Sequence, residues 1–274
     1  MPCRPIICAL MALAVTAGLV QAAASHAARQ PTAALRAEAA PSGRLRAAIN
    51  VGNVVLAKRG GPQGASGVSV DIANEIGRRL RLPVDLLIYD TAGAVVERRE
   101  ADRWDVAFMG IDPARGAEIV FTAPYVEIEG TYLVRQGSPY LRAADLDRPG
   151  VRIAVGRGTA YDLFLTRTIR QATLVRFDTS LEAIAHFRQD GLEAAAGIRE
   201  ALVEAQKQVP GTQVLADSFN RIEQAVAIPK MRSAAARWSA SVVEELKANG
   251  FVRAALDRHG QNGAQVARPA QPHP

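Results

Sequence analysis

Strand and helix signals alternate along this chain in two successive sets, and that alternation restricts it to folds in which helices cover a largely parallel sheet. RLRAAIN (44–50) reads as a strand. VSVDIANEIGRRL (68–80) spaces Ile72, Ile76 and Leu80 along one helical face. VDLLIYD (84–90) is a buried strand, TAGAVVERRE (91–100) a helix capped by Thr91, and WDVAFMGI (104–111) another strand. TYLVR (131–135) leads through a turn-rich connection into the second set. There, strands at 151–155, 172–177, 192–197 and 212–216 are separated by helices at 159–170, 180–189 and 198–209. EQAVAIPK (223–230) returns as a strand, and helices at 233–250 and 251–260 close the fold. The pattern predicts an α/β fold of two lobes, with crossovers near 133 and 224.

The ends read differently. Arg4, the apolar run IICALMALAVTAGLV and the small residues of QAAASHA make residues 1–27 a secretory signal, cut between Ala22 and Ala28. The apolar run is too short to span a bilayer, and no second run of membrane length follows, so a soluble periplasmic protein is expected. Cys3 and Cys8 both fall inside the signal, which removes disulfide and thiol chemistry from the mature chain. Residues 28–43, rich in Ala, Arg and Pro, and 261–274 are expected to be disordered. The formal net charge is +6, and residues 1–27 hold one Arg and no acid, leaving about +5 spread over the remainder. Aromatics make up only 5%, too few for a basic surface that stacks on bases, so a nucleic-acid partner is not expected. A monomer is expected.

Two constellations carry candidate chemistry. In Asp112-Pro113-Ala114-Arg115, Asp112 can cap a helix and Pro113 suits its first position. Arg115 then sits at the end of a strand, where open α/β sheets bind ligands, and its planar fork suits a carboxylate. The alternative is a surface arginine paired with Glu118 at helical spacing. In Gly156-Arg157-Gly158-Thr159-Ala160, a strand turns into a helix whose first N–H groups can hold an anion and whose Thr159 adds a hydroxyl. An ordinary strand-to-helix turn explains the same residues. Glu127 and Glu129 alternate along YVEIEGTY on one face, either a solvated edge or a cleft carboxylate. His186, His259 and His273 lack metal spacing, and neither a metal nor a cofactor is expected.

GVSVDIANEIGRRL, WDVAFMGIDPARGAEIVFTAPY and VRIAVGRGTAY resemble, in order and at matching spacing over roughly residues 44–260, segments of the bacterial periplasmic solute-binding proteins of family 3, the amino-acid type. The resemblance implies two lobes, 44–133 plus 225–260 and 134–224, joined by two hinge strands that close like a clamshell. It implies delivery of the solute to an inner-membrane ABC permease. It places Arg115 on the arginine that grips the ligand's α-carboxylate and Thr159, beside Gly158, on the second-lobe hydroxyl position.

The chain departs from the family at four places. Gly110 and Phe108 stand where hydroxyl residues are frequent, so contact there falls to the backbone of Gly110. Ile198 stands where the ammonium-binding Asp is usual, and Glu129 is the substitute by position. The aromatic after the first strand is absent from NVGNVVLA, whose Asn53 is taken as the ligand residue. A carboxylate-bearing solute is thus implied, and a standard α-amino acid is left open. The rival of another class is a dehydratase of the cyclohexadienyl type on the same fold, with Glu129 as its acid. A sensor lobe is a third option, for which the sequence carries no transmembrane or signalling extension.

Overall fold

The computed structural model describes residues 31–271, without Glu118 and with the backbone alone of Asp102. The expected signal segment, residues 28–30 and residues 272–274 lie outside the described residues, and so does the Glu118 pairing considered for Arg115.

The first set of elements is α1 (Ala33–Ala39), β1 (Leu45–Asn50), β2 (Lys58–Arg59), β3 (Ala65–Ser66), α2 (Val68–Leu80), β4 (Val84–Tyr89), α3 (Ala92–Glu97), α4 (Arg99–Asp102), β5 (Val106–Gly110) and β6 (Ile119–Phe121). β1 lies between β4 and β5 and runs parallel to both, with Ala47 opposite Leu86 and Val106. Side chains of β1 and β5 are buried almost throughout, as expected for parallel strands covered on both faces. Thr91 caps α3 through its hydroxyl, 3.0 Å from the Ala94 N–H.

The second set is β7 (Val126–Arg135), β8 (Arg152–Gly156), α5 (Ala160–Thr168), β9 (Thr173–Phe177), α6 (Ser180–Gln189), β10 (Ala194–Ile198), α7 (Arg199–Gln208), β11 (Thr212–Val214), β12 (Asn220–Pro229), α8 (Ser233–Ala248), α9 (Phe251–Arg258) and β13 (Gln265–Val266). β8 runs parallel to both β9 and β10. The principal sheet has the order β4-β1-β5-β12-β7-β10-β8-β9.

The two parallel sets are therefore joined by the antiparallel pair β7 and β12. β12 pairs with β5 through residues 224–227 and with β7 through residues 220–224. β7 pairs with β12 through residues 126–130 and with β10 through residues 130–134. Each long strand thus starts in one lobe and ends in the other, and the α/β alternation is borne out. Trp104 and Met109 anchor a cluster under α3, while Leu133, Phe187 and Leu202 anchor another under α6 and α7.

Two expectations fail at the ends. The leader 28–43 contains α1, with Ala39 and Ala40 buried in the core. Its Glu38 carboxylate accepts the N–H groups of Ala234 and Ala235 at 2.7 and 3.0 Å, capping the first turn of α8 from outside the helix. The tail beyond 260 contains β13, paired with β7 at Gln265–Glu127 and Val266–Val126. Buried Lys247 donates to the Arg268 carbonyl at 2.9 Å and to that of Pro124 at 3.0 Å, which fastens the tail to α8. Each end is held by a few long-range bonds that composition does not reveal.

Candidate functional site

Arg115 ends a short 3-10 turn, Pro113–Arg115, that follows β5. Asp112 caps it, accepting the Ala114 N–H at 2.9 Å, and Pro113 takes the first position. The cap aims the arginine inward, and only 4% of it is exposed. Its guanidinium donates to the Gly110 carbonyl at 2.6 Å, within its own lobe, and to the Gly158 carbonyl at 2.8 Å, in the other. Two of five N–H donors are so engaged. No carboxylate forms an ion pair with it among the described residues. Burial brings its pKa down to about 10 against the opposing pull of Asp112, so it remains a cation at neutral pH.

Facing it across the cleft is the start of α5. Thr159 is the cap: its hydroxyl accepts the Asp162 N–H at 3.1 Å and donates to the Gly156 carbonyl at 2.9 Å. Asp162 folds back on the Gly158 N–H at 2.9 Å and is held by Arg176 Nε at 2.9 Å. The first two helical N–H groups, those of Ala160 and Tyr161, are not taken up by any of these contacts. They are the donors a helix start offers to an anion. A buried cation from one lobe and a helix N-terminus from the other thus converge.

Asn53, Gly110, Arg115, Thr159, Ile198 and Gln224 line a cavity of about 30 Å³ at this point. A water needs on the order of 10–15 Å³ by this measure, so a molecule the size of an amino acid enters only when the lobes part. Gly52, Asp90 and Ser180 line both this cavity and a groove of about 1230 Å³ that continues outward between the lobes. The lobes meet closely. A Cβ on Gly158 would stand 3.0 Å from the Gly93 Cα, and Gly158 has φ +67°, a conformation that favours glycine. Asp112, buried, is also gripped in bidentate fashion by Arg167 of α5 at 2.8 and 3.0 Å.

The candidates read from sequence separate here. Arg115, Thr159, Gly110 and Asn53 come together at the cavity, and Gly158 contributes its carbonyl to Arg115. Thr159 acts there first as a cap. Phe108 does not line the cavity: it is buried in the core with its ring edge-on to Tyr125, centroids 6.3 Å apart. Glu129 does not line it either. Its carboxylate is held by Arg199 Nε at 2.6 Å, and Glu127 pairs with Arg221 at 2.8 Å, so both carboxylates on this face of the strand are held in ion pairs. His186 stacks on Phe177 and contacts Asp190, and His259 contacts Asp71, all away from the cavity. Gln224, buried on β12, was missed. A lone amide in the apolar run AVAIP-side of EQAVAIP was its only signal. Arg167 gave none, because its partner lies 55 residues away.

Comparison with known proteins identifies the family. The family model of the bacterial extracellular solute-binding proteins, family 3, matches residues 55–262. Among solved structures, holo ArgBP from T. maritima superposes with a TM-score of 0.64 at 23% identity, covering 75% of this chain and 91% of that one. A putative binding component of an ABC transporter from Wolinella succinogenes, complexed with lysine, gives 0.69 at 19%, covering 79% and 95%. The ancestral amino acid-binding protein AncCDT-1, a precursor of cyclohexadienyl dehydratase, gives 0.69 at 19%, covering 81% and 97%. At these identities the structures establish the two-lobe fold, and the family match, which spans most of the chain, establishes the rest: this protein belongs to the bacterial extracellular solute-binding proteins, family 3.

Proposed function

We propose that this protein is the solute-binding component of an ABC amino-acid importer, capturing an amino acid or a related small carboxylate outside the cytoplasm by closing two lobes upon it. The observation that carries the reading is Arg115, a buried guanidinium with no carboxylate partner among the described residues, lining one cavity with Ala160 and Tyr161, the first residues of α5. A ligand carboxylate takes the place of the Gly158 carbonyl on the guanidinium and accepts from the helix start, so it touches both lobes. A ligand favours closure only through contacts of this kind. That the Wolinella succinogenes protein is complexed with lysine supports an amino-acid-sized solute.

The finer reading follows. Lobe 1 comprises residues 44–133 and 225–260, lobe 2 residues 134–224, with α1 and β13 appended to the first. Residues 1–27 direct export to the periplasm, where the chain works as a monomer and passes its solute to an inner-membrane permease. Binding is favoured over dehydration because Glu129, the acid the dehydratase reading needs, is paired with Arg199 away from the cavity.

Calorimetry with Arg115→Ala tests the proposal. Loss of one side of a desolvated, charge-assisted pair costs on the order of 2–5 kcal/mol, well over tenfold in Kd. Arg115→Lys is expected to bind poorly too, since a point charge does not replace the fork. Unchanged affinity in both variants would make Arg115 a structural bracket between the Gly110 and Gly158 carbonyls and nothing more.

A further inference from the structure

The charges around the cavity are one-sided. Arg115 brings a buried positive charge. Among the described residues, the acids nearest the cavity are already engaged, and Glu223 of β12 is exposed, alternating with the buried Ile222 and Gln224 that line it. Asp112 is gripped by Arg167, Asp162 by Arg176 and the Gly158 N–H, and Glu129 by Arg199. Asp90, at the cavity rim, is paired with Arg59 at 2.6 Å, and both side chains are mostly exposed. Glu200 has a buried oxygen without a partner, but it lines the outer groove, and burial pushes its carboxyl toward the protonated form. Inside the rim held by the Asp90–Arg59 pair, what faces the cavity besides Arg115 is neutral. Asn53 is buried with Oδ1 unpaired, Gln224 is buried, and Ile198 and Ile222 supply apolar wall.

A 2-amino acid carries two opposite charges into this space, and the site supplies a counter-charge for one of them. Its ammonium would be desolvated beside a guanidinium with only amide oxygens to meet it, which is unfavourable on both counts. A monoanion leaves no such residue of charge. A hydroxyl group next to the carboxylate asks for a neutral partner, and the unpaired Asn53 Oδ1 accepts from it, whereas a 2-oxo oxygen has no hydrogen to offer that atom.

We infer that the solute is a monocarboxylate whose neighbouring substituent is an uncharged donor, a 2-hydroxy acid in preference to the corresponding 2-amino acid. The inference rests on the carboxylate reading above and narrows it. The test is calorimetry on the purified protein with matched pairs that differ only in that substituent: L-lactate and L-alanine, L-3-phenyllactate and L-phenylalanine. In the pair that binds tightest, the hydroxy acid is expected to lead by about tenfold or more. Asn53→Asp, nearly isosteric, adds the missing counter-charge and is expected to move the ratio toward the amino acid by a similar factor. An amino acid that binds wild-type protein as tightly as its hydroxy partner, with Arg115→Ala abolishing both, overturns the inference and leaves the carboxylate reading standing. Binding of neither class at millimolar concentration overturns the carboxylate reading itself, and this inference with it.

Discussion

A methyl group on Gly110 would stand 2.8 Å from the Ala160 methyl and 3.0 Å from Cγ2 of Ile222, so Gly110→Ala cannot close as the wild type does. Overfilling a packed contact of this kind costs about 1–3 kcal/mol. Because Ala160 lies in the opposite lobe, the cost falls on the closed form. Gly110→Ala is therefore expected to bind solute about tenfold more weakly or worse, with its melting temperature nearly unchanged; a large drop in melting temperature at unchanged affinity would contradict it. The position of this glycine was legible in the sequence, but its use was not. It was read as a backbone contact for the ligand, whereas its carbonyl holds Arg115 and its missing side chain admits α5. The caps Thr91 and Asp112 were legible because caps bond within three residues, whereas Thr159 was read only for its hydroxyl. Glu129 was misplaced because its partner, Arg199, lies 70 residues away.

At the level of elements, α1 shows how little local sequence is needed to dock a helix. AALRAEA has seven residues and is too short to be stable alone. It stays because Glu38 satisfies two orphan donors of α8, and because Arg232, at the entrance of α8, donates to the Ala39 carbonyl at 3.2 Å and to Asp105 at 2.5 Å. Loss of a helix cap costs about 0.5–2 kcal/mol. Glu38→Ala is expected to lower the midpoint of thermal unfolding correspondingly, with solute affinity unaffected, and circular dichroism melts alongside calorimetry check both halves. The strands and helices at 68–80, 151–155 and 180–189 could be read from periodicity because they bury one face against their own neighbours. α1 and β13 could not, because what orders them comes from α8 and β7.

For the molecule as a whole, the two-lobe plan was legible from the repeated alternation, whereas the interlobe contacts were not. Asp112 and Arg167 join the lobes, as does the bond from Arg115 to the Gly158 carbonyl. Such bridges favour the closed form. Arg167→Ala leaves the buried Asp112 with its cap alone, and closure should lose about 1–3 kcal/mol. X-ray scattering without solute is then expected to give a larger radius of gyration than wild type, and saturating solute is expected to restore the smaller one. Equal radii without solute would assign the pair no part in closure. The joint itself lies in β7 and β12, whose ladder from Asn220–Gly130 to Gln224–Val126 sits in the middle of the sheet. A joint so fully bonded does not swing by breaking anything. It behaves as a torsion bar, spreading a small twist over several peptide units and returning it on release, while the lever arms of the lobes magnify that twist into a gape at the rim. The sensitive places in such a machine are where the jaws touch, Gly93 against Gly158, and there the thickness of one methyl group decides whether they shut.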